Sequence, residues 1–112
     1  MQAFEITDLI TSQDSSGQDY LEFLNVPDLS AGLYMLPAGG VDKQQPHTED
    51  EVYYVVAGRG SIRVGDEDRE VKSGTIVFVP AGVEHRFHSI AEELAVLVFF
   101  APPEHSQSGA TG

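Results

Sequence analysis

The 112-residue chain contains no cysteine and no tryptophan. Without cysteine there is no disulfide framework, no thiolate nucleophile and no thiolate ligand. Any metal would have to be held by nitrogen and oxygen donors. Positive charge is also scarce: six Lys and Arg stand against eighteen Asp and Glu, a formal net charge of −12. The acidic residues are spread along the chain, so its field repels phosphate backbones and anionic headgroups. Neither nucleic acid nor a membrane surface is an expected partner. Long apolar runs are missing as well. The longest, LAVLVFFA from Leu94 to Ala101, is far shorter than the roughly 18 residues of a membrane span. The first residues, MQAFEITDLI, carry neither the positive charge nor the apolar stretch of a secretory leader. A cytoplasmic protein is expected.

What the chain does have is punctuation. Eleven glycines and six prolines separate short runs rich in Val, Ile, Tyr and Phe: LEFLNV, AGLYMLP, EVYYVV, SIRVG, REVK, TIVFVP, HRFHSI and LAVLVFF. Short β-type runs between turn signals predict an all-β sandwich or barrel. The length suits one domain, expected over residues 1–103, with the polar segment 104–112 as a flexible tail. AGRG, Ala57 to Gly60, reads as a hairpin loop between YYVV and SIRV. GDED, Gly65 to Asp68, reads as a polar reversal. The best helical candidate, TSQDSSGQDYLEFL, is interrupted by Gly17, and SQDSSGQD reads better as a loop. LAVLVFF has no polar alternation and is expected to be covered on both faces.

The stretch PHTEDEVYYVVAGRG, Pro46 to Gly60, carries the chemistry. Thr48 and Glu51 fit a helical capping box, but VYYVV is a run of poor helix formers and Gly58 ends it. On an extended strand, four residues span roughly 13 Å, so His47 and Glu51 could share one ion only if the chain turned at Thr48-Glu49-Asp50. Gln45 lies two residues before His47 and shares its face of an extended segment. A second histidine follows a comparable turn in GTIVFVPAGVEH, where Pro80 and Gly82 precede His85.

These two segments resemble the paired motifs of the cupin superfamily. In the first, six residues separate Gly40 from His47, three separate His47 from Glu51, and six separate Glu51 from Gly58. In the second, Gly74, Pro80, Gly82 and His85 all match the family spacing, and Ser89 stands where the family has asparagine. The motif region spans residues 40–89. Either segment alone is a weak signal, whereas both in order are specific. The resemblance implies a double-stranded β-helix, or jelly roll, of two antiparallel sheets. It implies that His47, Glu51 and His85 bind a divalent metal ion: Fe, Zn, Mn, Ni or Co. Gln45 occupies a position where the family usually has a third histidine, and is a weaker amide-oxygen ligand or an orienting group.

Other residues have plainer readings. Glu49 and Asp50 are expected to be solvated turn residues, His88 to point outward, and His105 to lie in the tail. Tyr34, Tyr53, Phe78 and Phe87 are expected in the core. Alternation from Glu51 turns Tyr53 and Val55 toward the metal, and with Met35 they would line an apolar pocket for a small, oxygen-bearing ligand. The resemblance suggests a metal-dependent enzyme, dioxygenase-, isomerase- or lyase-like, with a small-molecule substrate. The alternative is a module that binds or senses a metal or small molecule without turnover. Small cupins commonly pair, so a homodimer is expected, with LEFLNV and LVFF as the pairing strands.

Overall fold

The computed structural model describes residues 1–43 and 46–104. The order of elements is α1 (Ile6–Ser16), β1 (Tyr20–Val26), β2 (Leu29–Leu36), β3 (Asp50–Val64), β4 (Glu67–Lys72), β5 (Ile76–Val79) and β6 (His85–Ala101). All strand pairings are antiparallel. The expected all-β jelly roll is present, with one helix added.

Two long strands organise it. The first half of β3 pairs with β5 on one side and with the second half of β6 on the other. The second half of β3 pairs with β4 and with the first half of β6. One end is therefore the five-strand series β1-β2-β6-β3-β5, and the other the three-strand series β6-β3-β4. Period-two alternation decides what faces inward. Along β3, Glu51, Tyr53 and Val55 are at most 1% exposed, whereas Val52 and Tyr54 are 36% and 39% exposed. Tyr34, Leu36, Ile62, Phe87, Leu94, Val96 and Phe100 complete the core between the sheets. Each such side chain contributes about 1.5–3 kcal/mol on burial.

Four expectations are corrected here. AGRG is not a hairpin loop: β3 runs through it, with register shifts against β6 between Val55 and Ser61. Gly58 permits this, because its φ is 95° and a Cβ there would strike the Glu93 carbonyl oxygen. The reversal comes instead at Gly65-Asp66, within the predicted GDED. Of the expected loop SQDSSGQD, Ser12–Ser16 is instead the end of helix α1, Ile6–Ser16. Gly17 does not interrupt it but ends it, in the left-handed conformation (φ 71°) usual after a helix. Ile6, Leu9 and Ile10, spaced for one helix face, cover Leu33, Met35 and Ala95 on the outer face of β2 and β6. Met35 therefore packs under α1, on the opposite face of β2 from Tyr34, and does not line the barrel interior. Finally, Phe78 is 57% exposed on β5 rather than in the core.

LVFF lies in β6, between β2 and β3, so it offers no free edge for pairing with another chain. Its coverage on both faces is as expected, by the barrel core and, for Ala95 and Leu97, by α1. Among the described residues, no helix is long and apolar enough to cross a membrane.

Candidate metal centre

The two motif segments meet through their backbones. The chain bends at Thr48-Glu49 before β3 begins at Asp50. The His47 carbonyl accepts the Gly82 N–H at 2.7 Å. The Asp50 Oδ1 accepts the Ala81 N–H at 2.9 Å. The turn ahead of β3 is thus stitched to the turn ahead of β6. Glu51 pairs with Val79 on β5 and Phe100 on β6, which points its side chain inward. His85, the first residue of β6, lies opposite Val64.

This brings His47, Glu51 and His85 together. One potential ligand atom from each lies within 4.8 Å of the others. The His47 and His85 ring centroids are 5.7 Å apart. Gln45 lies outside the described residues, as do His105 and the remainder of the expected tail.

The Glu51–His85 contact is chemically unfinished. The His85 Nδ1 lies 2.9 Å from the Val83 carbonyl. A carbonyl only accepts, so Nδ1 carries the proton and donates it, leaving Nε2 turned to Glu51. Nε2 is 2.8 Å from Glu51 Oε1, and both side chains are 1% exposed. Beyond this close contact, Nε2 and both Glu51 oxygens lack a hydrogen-bond partner among the described residues. A bare imidazole nitrogen against a carboxylate oxygen sets two acceptors face to face. Only a positive charge, a proton or a metal ion, relieves that. Burial disfavours a charged His85, but the Glu51 carboxylate and the Val83 carbonyl outweigh it and raise the His85 pKa above the usual histidine value. Two imidazoles and a carboxylate also form a suitable donor set for a first-row divalent ion, so the residues present fit a metal.

His47 sits closer to solvent. Its side chain is 13% exposed, its ring meets Phe100 edge-on at 4.9 Å, and its Nδ1 lies 3.7 Å from Glu104 Oε2. Glu104, the first residue of the expected tail, is held by its N–H donating to Ser30 Oγ at 2.9 Å. Metal-bound histidines commonly turn their second nitrogen to such a carboxylate.

Two cavities flank the cluster. One, of about 280 Å³, is walled by Tyr20, Tyr34, His47, Val98, Phe100 and Glu104. The Tyr20 hydroxyl has no hydrogen-bond partner among the described residues. Burial, then Glu104, raises its pKa beyond the ordinary phenol value, so it stays a donor. Burial and Asp42 do the same to Tyr34, whose hydroxyl donates to Asp42 Oδ1 at 2.8 Å. The other cavity, of about 520 Å³, opens on the far side of His85. The apolar wall is thus Val98, Phe100 and the two tyrosines. Tyr53 and Val55 are fully packed core residues.

Of the plainer readings, His88 is peripheral, paired with Asp68 at 2.9 Å. Glu49 was expected to be solvated but is 2% exposed, and its Oε2 accepts from the Thr48 hydroxyl. The bend that lets His47 approach Glu51 also folds Glu49 inward. Glu104, Tyr20 and Asp42 gave no sequence signal, because none lies at a motif position.

The cupin domain model matches residues 32–101. An uncharacterized protein of Streptomyces coelicolor is 50% identical over 104 residues, covering 93% of this chain and 99% of its own. Acireductone dioxygenase 2 of Arabidopsis thaliana is 32% identical over 85 residues, 71% of this chain. The match takes in only 44% of that longer protein. Among solved structures, one from Thermus thermophilus shares 26% identity at a TM-score of 0.75, over 92% of this chain and 99% of that one. An RmlC-like cupin from Methanocaldococcus jannaschii with a double-stranded β-helix fold has a TM-score of 0.68 at 21% identity, covering 74% of this chain and 78% of its own. This chain belongs to the cupin family.

Proposed function

We propose that this cupin is a metal-dependent enzyme acting on a small oxygen-bearing organic molecule. The observation that carries the reading is the convergence of His47, Glu51 and His85, with His85 Nε2 and both Glu51 oxygens buried and without a hydrogen-bond partner among the described residues. Those three residues would hold the ion, with Gln45 as a weak fourth ligand. When bound, the metal supplies Lewis-acid polarisation of substrate oxygen and, if it is iron, a route to dioxygen chemistry. The chain's own residues do the rest. Val83 fixes the His85 tautomer, Glu104 orients His47, the Tyr20 hydroxyl donates to a ligand oxygen, and Val98 with Phe100 excludes water. The similarity to acireductone dioxygenases supports a dioxygenase-like reaction over isomerisation or elimination.

The test is a screen of protein loaded in turn with Fe(II), Ni(II), Mn(II) and Zn(II) against small diketones, hydroxyketones and keto acids. Oxygen uptake and substrate loss are followed together. Turnover with at least one ion, absent in His85→Ala, is expected. Tight metal uptake with no turnover across the panel would favour a binding module instead.

We also propose a homodimer, formed through the outer face of β3 and β5 rather than through LVFF. Val52 faces Phe78 and Tyr54 faces Ile76 across these strands, all at least 36% exposed. The patch is uncharged in a chain of net charge −12, so a second copy meets the least repulsion there. Phe78→Glu should convert a dimer to a monomer in sedimentation velocity, and a dimer that survives it would exclude this face.

A further inference from the structure

The cavity on the far side of His85 gathers positive charge in a chain that has little. Lys43, Arg63 and Arg86, half of the six basic residues, line it. Arg63 on β3 and Arg86 on β6 are direct register partners. Their side chains therefore leave the same face of the sheet, with Cβ atoms about 5 Å apart. Like charges so placed repel. Asp68, the β4 register partner of Arg63, shares that face, but its carboxylate is paired with His88 at 2.9 Å, and among the described residues neither guanidinium has a carboxylate within 4.0 Å. Arg63 Nε donates only to the Gly65 carbonyl, at 3.2 Å.

Two acids, Asp42 and Glu84, share the cavity and bring its formal charge from +3 to +1, so it stays positive. Asp42 is 6% exposed and spends Oδ1 on the Tyr34 hydroxyl and Oδ2 on the Phe87 N–H. Glu84 is exposed, and its backbone carbonyl accepts the Gly65 N–H. By contrast, Arg59, outside this cavity, is paired with Glu92 at 3.0 Å.

We propose that Arg63 and Arg86, with Lys43 at the rim, form a binding site for the oxyanion of a small molecule, a carboxylate or a phosphate. Two guanidinium forks on neighbouring strands offer several N–H donors to one oxyanion, the group that guanidinium best pairs with. Alternation places Arg63 and Arg86 on the outer face, between the inward-facing Ile62, Val64, His85 and Phe87, so the oxyanion site does not rest on the metal-centre reading.

Backbone NMR titrations of the metal-free, full-length protein with inorganic phosphate and with malonate, at constant ionic strength, test the site. Saturable shifts are expected at Arg63, Gly65 and Glu84–Arg86 with at least one probe, and the tighter probe identifies the oxyanion. Arg63→Gln and Arg86→Gln, both surface changes, should each weaken binding about tenfold, the loss of a charge-assisted hydrogen bond. Arg69→Gln on β4 should leave it unchanged. Saturation with neither probe, or binding indifferent to both cavity substitutions, overturns the proposal. Metal content of the same samples, reconstituted with Ni(II), is read separately. A chain that binds the oxyanion but takes up no metal defeats the metal-centre reading and leaves the oxyanion site standing.

Discussion

The two halves of the centre are built differently. Glu51 and His85 stand on strands, are 1% exposed, and His85 has its tautomer fixed by Val83. His47 stands ahead of β3, is 13% exposed, and is tethered through its carbonyl to Gly82, with Glu104 at 3.7 Å from its ring. A strand-borne pair keeps its geometry with or without an ion. A ligand on a loop adjusts to it. The contrast implies that Glu51 and His85 form a preorganised receptor onto which His47 closes. It also implies that the metal-free protein bears an electrostatic cost on one half only.

The substitution that breaks this most severely is His85→Leu. It removes the group nearest the buried Glu51 carboxylate, and the metal-free protein should lose about 3–5 kcal/mol in urea denaturation. His47→Ala provides the contrast. It should lower metal affinity by 100-fold or more in calorimetry, yet change metal-free stability by no more than about 1 kcal/mol, as expected for a partly exposed loop residue. Equal destabilisation by both substitutions would erase the distinction. Glu104→Gln removes only the carboxylate beside His47, and metal affinity should fall about tenfold with stability unchanged. Smallest is Ser89→Gly. Ser89 sits on β6 at φ 49°, a left-handed conformation that costs a serine about 1 kcal/mol. Glycine there should raise stability by roughly 0.5 kcal/mol, and metal affinity should not move.

Ser89 also shows what the sequence could and could not tell. The second motif was legible because its chemistry is local: Pro80 and Gly82 make a turn, and His85 follows it directly. The asparagine position of that motif is a left-handed one, which asparagine tolerates and serine tolerates less. Spacing alone exposes the departure but not its backbone meaning. The long strands were not legible, because Gly58 imitates a turn. Its actual role, admitting the Glu93 carbonyl from β6, depends on a partner 35 residues away. Gly17 failed in the opposite sense, as a helix end that looked like a helix break. Glu104 and Arg63 join the site region only after β6 crosses from one sheet to the other, and no local pattern marks them. The exposed Phe78 has the composition of a core residue, and only the pairing of β5 at an edge shows its face to be outward.

Elemental mass spectrometry of the untagged protein, beside His47→Ala and His85→Ala, tests the central claim most directly. Near one metal ion per chain in the native protein, lost in both variants, is the expected result. A native protein that holds no metal after reconstitution with Fe(II), Ni(II), Mn(II), Zn(II) or Co(II), or that holds it equally well without either histidine, would contradict the account.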